Sequence, residues 1–417
     1  MRKTTATPAY GLDFGTSNTS IACFSGNAPH LVELQAGRSS IPTAIFFSFD
    51  DGHAYFGRDA VERYLLGDEG RLLRALKSIL GSALYDETTY IRSQRVSFAD
   101  ILTAFIGFVR RASAEVDSVV MGRPVHFVDD DAAADSRAED QLRDAARQAG
   151  YAHVEFQFEP IAAALDYEQS VRTEELALVV DIGGGTSDFS IVRVSPERAR
   201  RPDRKADILA CTGVHIGGTD FDRLLSMSTL MPHLGFRSKL KTKNMNPPSW
   251  YYHDLSTWQR INVLYDNKVV SEIIGVRRDA LEPEKLDRLL RVIELRKGHE
   301  LLGQIEETKI ALSSNLEVKL ASVAFARGQQ LKVTRVQFER AVADAMARVG
   351  RKINETVASA GLKASDISTV FVTGGSSSIP ILRKLIANAL PSSRIVEGDA
   401  FGSVATGLAI DARRRFG

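Results

Sequence analysis

The feature that most limits the possible folds is an internal repeat. Gly-Thr-Ser at residues 15 to 17, followed by Ser-Ile at 20 and 21, recurs at residues 185 to 187 and 190 to 191, an offset of 170 residues. Each copy follows a short apolar run that closes in an aspartate, Asp13 or Asp181, and each leads into a run of β-type residues. The pattern predicts two duplicated lobes, each carrying a strand, a glycine-rich turn and a second strand.

Length and composition narrow the class of protein. At about 150 residues per domain, 417 residues predict two to three domains, and 44% apolar with 25% charged residues is typical of a globular chain. The formal charge of +1 provides no global field for nucleic acid or an anionic membrane. The two cysteines, Cys23 and Cys211, are too few for a disulfide framework, and neither a signal peptide nor a membrane span is evident. We therefore expect a cytoplasmic protein.

The two turns have the chemistry of phosphate cradles. Glycine lets backbone N–H groups approach an anion without an obstructing side chain, and the hydroxyl groups add donors. An aspartate beside phosphate oxygens needs a cation between them, which predicts Mg²⁺ held through its waters by Asp13, Asp181 and a further candidate, Asp188. The alternative is a pair of ordinary hairpins, which the repetition makes weaker. The predicted phosphate-binding residues are Gly15, Thr16, Ser17, Asn18, Gly183, Gly184, Gly185 and Thr186.

Three glycine-rich segments together resemble a known superfamily. GLDFGTSNTS, DIGGGTSDFS and VTGGSSSIP are similar to the two phosphate motifs and the adenosine motif of actin-like ATPases, and most similar to the ATPase domain of the seventy-kilodalton heat-shock chaperones. The resemblance extends from about residue 10 to about residue 410, with a gap in the middle. It implies an α/β fold of two ribonuclease H-like lobes, each with a mixed five-stranded sheet, and a nucleotide in the cleft between them.

The same resemblance implies domain limits. Residues 1–175, joined by a C-terminal helix at about 395–417, would form the first lobe. Residues 176–394 would form the second, with a divergent subdomain at about 220–315.

Catalytic roles also come from the resemblance. Lys77 lies in RLLRALKSILG, whose apolar spacing predicts a short helix, and a lysine there is normally solvated. The family has a lysine at this place that reaches the γ-phosphate and orients the attacking water. Glu159 precedes Pro160 at a predicted helix start, where a capping carboxylate is the alternative, and the matching family glutamate faces magnesium and the water. Thr186 is also assigned to the catalytic residues. Pro124 lies near the place of a family proline that helps relay the nucleotide state, but the match is weak, and we favour an ordinary proline at the end of a strand.

Adenosine contacts are implied by three further segments. Gly217 and Gly218 in HIGGTDFD allow close backbone approach, and the turn VTGGSSS carries three more candidates, Gly374, Gly375 and Ser376. Glu306, Lys309 and Ser313 share one helical face at i, i+3 and i+7, where a surface ion pair is the alternative reading. The chain departs from the family at three positions. The family commonly has glutamate where this chain has Thr219, arginine where it has Ser378, and an acidic residue where it has Phe401.

The resemblance fades between about residues 235 and 300. This segment combines basic and aromatic side chains, a pattern that can bind single-stranded nucleic acid. The same pattern can form a helical subdomain or a surface that binds a partner protein. We favour the helical subdomain or partner surface, because the net charge of the chain is near zero. These side chains are Arg237, Lys239, Lys241, Lys243, Trp250, Tyr251, Tyr252 and Trp258. The sequence ends at DARRRFG, and the resemblance then implies the stand-alone bacterial type of the family, which lacks the peptide-binding domain.

The predicted function is therefore that of a chaperone-like, monomeric ATPase that binds ATP or ADP with Mg²⁺, hydrolyses ATP, and signals to a protein partner through lobe closure. Two alternatives stay open. One is a filament or scaffold protein that assembles with nucleotide. The other is a small-molecule kinase, for which the sequence offers no clear carboxylate to activate a second substrate.

Overall fold

The computed structural model describes residues 9–25, 28–114, 116–128, 131–201, 203–242, 245–322, 324–325, 329–399 and 402–416. Lys243 and Phe401, which were singled out above, lie outside these residues.

Within the described residues the strands, numbered along the chain, are β1 (Ala9–Phe14), β2 (Asn18–Ser25), β3 (Ala28–Leu31), β4 (Ser40–Pro42), β5 (Ala44–Ser48), β6 (Ala54–Phe56), β7 (Gly70–Arg74), β8 (Thr88–Ile91), β9 (Gln94–Ser97), β10 (Ser118–Arg123), β11 (His153–Phe158), β12 (Glu175–Ile182), β13 (Ser187–Val194), β14 (Ile208–Val214), β15 (Glu317–Ala321), β16 (Gln330–Thr334), β17 (Thr369–Thr373) and β18 (Arg394–Glu397).

The α-helices of the same residues are α1 (Gly57–Leu66), α2 (Phe98–Ala112), α3 (Ala132–Gln148), α4 (Glu159–Glu168), α5 (Gly218–Thr229), α6 (Trp250–Leu255), α7 (Asn267–Asp279), α8 (Pro283–Glu294), α9 (Gly298–Ser314), α10 (Arg335–Ser359), α11 (Pro380–Ala389) and α12 (Ser403–Phe416).

The repeat forms the centre of two separate mixed sheets. In the first, the order is β11-β10-β1-β2-β3, with β4 also paired to β2, so that this sheet has six strands where five were predicted. In the second, the order is β14-β13-β12-β17-β18, the five strands expected. In each sheet the two strands of the repeat pair antiparallel, β1 with β2 and β12 with β13, while the next strand on the other side runs parallel. The predicted strand, turn and strand are thus confirmed in both copies.

The sixth strand of the first sheet is short and joins near the turn. Thr19 of β2 pairs with Ile41 of β4, and the hydroxyl groups of Thr19 and Thr43 lie 2.8 Å apart. The Thr43 hydroxyl donates to the backbone oxygen of Gly15 at 2.7 Å. This extra strand was missed because three residues are too few to show a periodic pattern.

Contacts divide the chain into two compact units. One comprises residues 1–215, 350–377 and 386–417, and contains both mixed sheets; the other comprises residues 216–349 and 378–385. The lobe boundary predicted near residue 175 would fall between the two sheets of the first unit, and it stays a prediction.

The short helix predicted around Lys77 is wrong in its first half. Residues Gly70–Arg74 form β7, which pairs antiparallel with β5, and only Leu76–Ile79 form a 3₁₀ turn that contains Lys77. Ala75, with φ of 57°, separates the two in the left-handed region. Backbone pairing with β5 overrides the helical spacing of the leucines, because a neighbouring strand satisfies hydrogen bonds that local propensity does not foresee.

Two of the four aromatic residues singled out in the divergent segment belong to the core. Tyr251 and Tyr252 of α6 are fully buried, and Trp250 packs edge-on against Tyr251 with ring centroids 4.5 Å apart. The side chain of Tyr251 donates its hydroxyl to Glu272 of α7 at 2.5 Å. The segment forms the helices α6, α7 and α8 of the second unit, and its two tyrosines are not exposed for base stacking.

The last helix, α12, packs closely against α4 and β1, and each contact involves a glycine. A β-carbon on Gly407 of α12 would lie 1.7 Å from the carbonyl oxygen of Ala162 in α4, and one on Gly11 of β1 would lie 2.2 Å from the amide nitrogen of Ala409. Backbones this close require glycine. The contact fixes α4, and with it Glu159, on the first sheet.

Candidate functional site

The two repeated turns have the same internal geometry. The amide of Gly15 donates to the carbonyl oxygen of Asn18 at 3.0 Å, and the amide of Gly183 donates to that of Thr186, also at 3.0 Å. Each turn therefore closes three residues after its first glycine, and the two turns correspond at an offset of 168 residues, two fewer than the 170 of the Gly-Thr-Ser repeat.

The two turns touch each other within the first unit. A β-carbon on Gly184 would lie 1.9 Å from the hydroxyl oxygen of Ser17 and 3.0 Å from its β-carbon. The absence of a side chain at Gly184 makes this approach possible, and around Gly185 the space is open, with nothing within 4 Å of a β-carbon. Backbone amides of two glycine-rich turns are thus brought into one neighbourhood, which is the arrangement a phosphate chain requires.

Lys77 and Glu159 form an ion pair near these turns. Nζ of Lys77 lies 2.5 Å from Oε1 of Glu159, and the two side chains are only 10% and 18% exposed. Burial lowers the pKa of Lys77, but the surrounding carboxylates, above all that of Glu159, more than offset this, so its pKa lies above the ordinary value. The lysine is therefore cationic and held at the centre of an acidic group.

The acidic group comprises the strand-end aspartates of both repeats. Burial and the charge of Glu159 raise the pKa of Asp13 from 3.8 to about 7, and Lys77 only partly opposes the shift. Burial, with Asp188 as the next cause, raises the pKa of Asp181 to about 8. Asp188 stands directly across from Asp181 in the β12–β13 pair. Several carboxylates thus share one ammonium group, and the cluster is short of positive charge.

This donor set suits a hard divalent cation held through water. Carboxylate oxygens are ligands that Mg²⁺ accepts, and Mg²⁺ usually keeps several waters. In the described part of the chain, no group of three or more His, Cys, Asp or Glu side chains converges closely enough to hold a metal ion directly. Asp13 and Asp181 fit an outer shell, because burial and the neighbouring carboxylates raise their pKa values and added positive charge would favour the ionised forms.

Two further predicted residues of the first unit, Thr186 and Gly374, lie beside the same carboxylates. The hydroxyl of Thr186 donates to Oδ2 of Asp188 at 3.0 Å. The turn after β17 also approaches: Gly374 has φ of 87°, and a β-carbon on it would lie 2.5 Å from Oδ1 of Asp181. The amide of Ser376 donates to the carbonyl oxygen of Ile182 at 3.3 Å. Gly375, between them, is exposed.

The predicted adenosine residues of α5 and α9 lie in the second unit. Gly217 is the N-cap of α5 and Gly218 its first residue. Lys309 of α9 is buried, pairing with Asp222 at 2.9 Å and donating to the carbonyl oxygen of Gly218 at 3.3 Å. Glu306 is exposed on the next turn of the helix.

Lys309 therefore has a structural partner that the sequence analysis did not find. Burial raises the pKa of Asp222 to about 6, although the charge of Lys309 works in the opposite direction. No local pattern reveals the pair, because Asp222 and Lys309 lie 87 residues apart in the chain. Ser313, the third member of the predicted face, is partly exposed, and its carbonyl oxygen accepts from Arg335 at 3.1 Å.

Pro124 directly follows β10, as the end-of-strand alternative predicts. The preceding Arg123 pairs with Asp135 at 2.8 Å and with Glu139, both on α3. The sequence analysis did not single out these ion pairs, since a sequence does not show which charges meet.

A paired set of mixed sheets, each with an aspartate-ended strand and a glycine turn, defines the class of actin-like ATPase folds. The family model described as "Hsp70 protein" matches residues 99–244 and 285–414, more than half of the chain. The chain belongs to the Hsp70 family. The gap between the two matched ranges, residues 245–284, lies inside the segment where the resemblance fades.

Individual relatives agree with this assignment. The chain is 25% identical over 441 residues to the chaperone protein DnaK of Trichormus variabilis, which covers 96% of this chain and 54% of the relative. It is 26% identical over 415 residues to DnaK of Elusimicrobium minutum, covering 96% and 57%, and 28% identical over 431 residues to the chaperone protein HscA of Escherichia coli, covering 97% and 58%. The chain thus spans a little over half the length of these curated relatives.

Two further observations concern location. Among the residues that the structure describes, none of the helices has the length and apolar character needed to cross a membrane. Neither Cys23 nor Cys211 forms a disulfide. The cytoplasmic location predicted above stays a prediction.

Proposed function

We propose that this chain binds ATP with Mg²⁺ and hydrolyses it to ADP and phosphate. The observation that carries the proposal is the contact of the two repeated turns at Ser17 and Gly184, beside the buried pair of Lys77 and Glu159. Membership of the Hsp70 family supports ATP or ADP as the ligand. Two adjoining glycine-rich turns beside a cation suit a chain of phosphates better than a single small anion.

Lys77 would stabilise the negative charge that develops on the γ-phosphoryl group. An ammonium group is a compact charge, and a partly buried site reduces its screening by solvent. In the structure this charge is held by Glu159, so binding a triphosphate would share or release the pair. The freed carboxylate of Glu159 is then able to accept a hydrogen bond from the water that attacks the γ-phosphorus.

Asp13 and Asp181 would hold Mg²⁺ through its water ligands. The cation would neutralise charge on the phosphate oxygens and so favour transfer of the phosphoryl group. Thr186 and the amides of residues 15–18 and 183–186 would orient the phosphates.

In the second unit, we assign contacts with the base and ribose of a nucleotide to Gly217, Gly218, Glu306 and Ser313. In the first unit, we assign the turn at residues 374–376 to the α-phosphate or ribose. Lys309 would act through α5, because its ammonium group is engaged by Asp222 and Gly218. The exposed carboxylate of Glu306 is suited to accept hydrogen bonds from ribose hydroxyl groups.

Coupling to a protein partner completes the proposal. The relatives named above are chaperone proteins, and an ATPase of this family supports a role in which hydrolysis changes the conformation that a partner binds. The partner is a protein, and a monomeric, cytoplasmic ATPase is the form we propose.

Phosphate release tests the catalytic part. We expect Lys77→Ala to lower the rate of phosphate release from ATP at least about tenfold, since a positioned charge of this kind is worth several kcal/mol in a transition state. The matched control is Lys332→Ala, which removes an exposed lysine that pairs with Glu317 on the β15–β16 hairpin and should leave the rate unchanged. Equal rates for Lys77→Ala and wild type would remove Lys77 from the mechanism.

Binding is tested separately by calorimetry with ATP, ADP and GTP, each with and without Mg²⁺. We expect ATP and ADP to bind and Mg²⁺ to tighten the binding of ATP. No heat from any nucleotide would overturn the proposal as a whole. Sedimentation with ATP addresses the filament alternative, since a particle that stays monomeric argues against assembly.

A further inference from the structure

Asp181, Asp188 and Gly213 form one row across three neighbouring strands. Asp181 of β12 stands opposite Asp188 of β13, and Asp188 stands opposite Gly213 of β14. Directly opposed residues of adjacent antiparallel strands project from the same face of a sheet, and two like charges in such a pair repel each other. The third place in the row, on the far side of Asp188, carries no side chain.

Gly213 is unusual for its position. Glycine weakens a strand, because it loses more backbone freedom on folding and offers no side chain to pack. Its φ is not among the positive values of the described glycines, so the backbone there is open to any residue. What favours glycine is space: a β-carbon on Gly213 would lie 2.9 Å from Oδ1 of Asp188.

Two neighbours therefore set the orientation of the Asp188 carboxylate, Thr186 and Gly213. Thr186 donates its hydroxyl to Oδ2 at 3.0 Å, while Oδ1 lies over the bare backbone of Gly213. The space at Gly213 lets this carboxylate lean away from Asp181. A methyl group there would turn the carboxylate, weakening its bond to Thr186, or push it toward Asp181.

We propose that Gly213 is a positioning residue, which sets the orientation of Asp188 and, through it, of the Thr186 hydroxyl and of the acidic pair that faces Mg²⁺·ATP. The catalytic part of this inference rests on the proposed function, whereas the positioning part concerns the free protein alone. Gly213 itself touches no substrate.

A double-mutant cycle in the free protein tests the positioning. We expect G213A to lower the midpoint of urea unfolding in the wild-type background but to leave it unchanged or raise it in the D188A background, where no carboxylate opposes the methyl group. An equal decrease in both backgrounds would show that the glycine serves the strand alone and would overturn the inference. This result does not depend on nucleotide.

Kinetics test the consequence for the site. We expect G213A to lower kcat about tenfold or more, as a misplaced catalytic group does, and to raise the Mg²⁺ concentration for half-maximal rate, with the KM for ATP little changed. The matched control is T212A, the adjacent residue of β14, whose hydroxyl lies 2.6 Å from that of Thr356. T212A should lower the urea midpoint and leave kcat and the Mg²⁺ requirement unchanged.

Failure of the proposed function and failure of the positioning role can be told apart. If the wild-type protein binds no Mg²⁺·ATP and releases no phosphate, the proposed function fails while the urea cycle still decides whether Gly213 positions Asp188. If the wild type is active and G213A has wild-type kcat and Mg²⁺ requirement, the positioning role in the reaction is wrong.

Discussion

Replacing Gly184 with alanine tests the contact between the two repeated turns most directly. The new β-carbon would lie 1.9 Å from Oγ of Ser17 and 3.0 Å from its β-carbon. Gly184 lies outside the left-handed range of φ, so the backbone accepts alanine and any cost comes from the contact.

The magnitude follows from what can move. Rotation of Ser17 about χ1 would carry Oγ out of the way, which removes the shorter contact at the cost of one rotamer change. The β-carbon contact stays, because 3.0 Å is shorter than the roughly 3.5 to 4.0 Å at which two carbons pack best, so the turns must separate by several tenths of an ångström. Overpacking of this kind costs about 1–3 kcal/mol.

Urea unfolding of the nucleotide-free protein is the assay. We expect G184A to be less stable than wild type by that amount, and G185A, in the same turn with open space around it, to differ by no more than about 0.5 kcal/mol. S17A should relieve G184A partly, since it removes Oγ alone, and S17G should relieve it further, since it removes the β-carbon as well. Equal midpoints for G184A and G185A would refute the contact and, with it, the grip of two turns on one phosphate chain.

Two further predictions concern packing and pH. Gly407→Ala should destabilise the fold by about 3 kcal/mol or more, or prevent soluble expression, since its β-carbon would meet the backbone oxygen of Ala162 at 1.7 Å. The control is Gly303→Ala in α9, where nothing lies within 4 Å of a β-carbon, and it should stabilise the fold by up to about 1 kcal/mol. Thermal unfolding of the two variants measures the difference. The raised pKa values of Asp181, about 8, and Asp13, about 7, mean that the folded state binds protons more tightly than the unfolded state, so their contribution to stability is complete below pH 3.8 and is lost as pH rises through 7 and 8. The difference in Tm between D181N and wild type should therefore shift in favour of D181N from pH 6 to pH 8 in the absence of Mg²⁺, and a difference independent of pH would contradict the shared acidic cluster.

Local sequence was a good guide wherever the pattern and its partners lie close together in the chain. The strands and turn of each repeat were predicted from an aspartate-ended apolar run and Gly-Thr-Ser, because a hairpin pairs with itself. The start of α4 was predicted at Pro160 for a similar reason, since proline is compatible with the first turn of a helix. The roles of the site residues came from family resemblance and remain to be tested.

Local sequence failed where a distant segment decides the conformation or the partner. Gly70–Arg74 became a strand through pairing with β5, against a helical spacing of leucines. The pairing of Lys309 of α9 with Asp222 of α5 was not found from the sequence. The reason is the same in both cases: a backbone hydrogen bond or an ion pair is worth little until packing brings its partner near and excludes water.

By itself, the amino-acid sequence determined the duplicated hairpins, the two sheets built on them and the family, because periodicity, glycine and strand-end aspartates act within a few residues. Only the tertiary structure decided that Ser17 meets Gly184, that Lys77 pairs with Glu159 across 82 positions of chain, and that Asp188 lies over Gly213. Such contacts depend on how the folded helices and strands pack together. At one strand, for example, the absence of a β-carbon makes room for a carboxylate on the next strand.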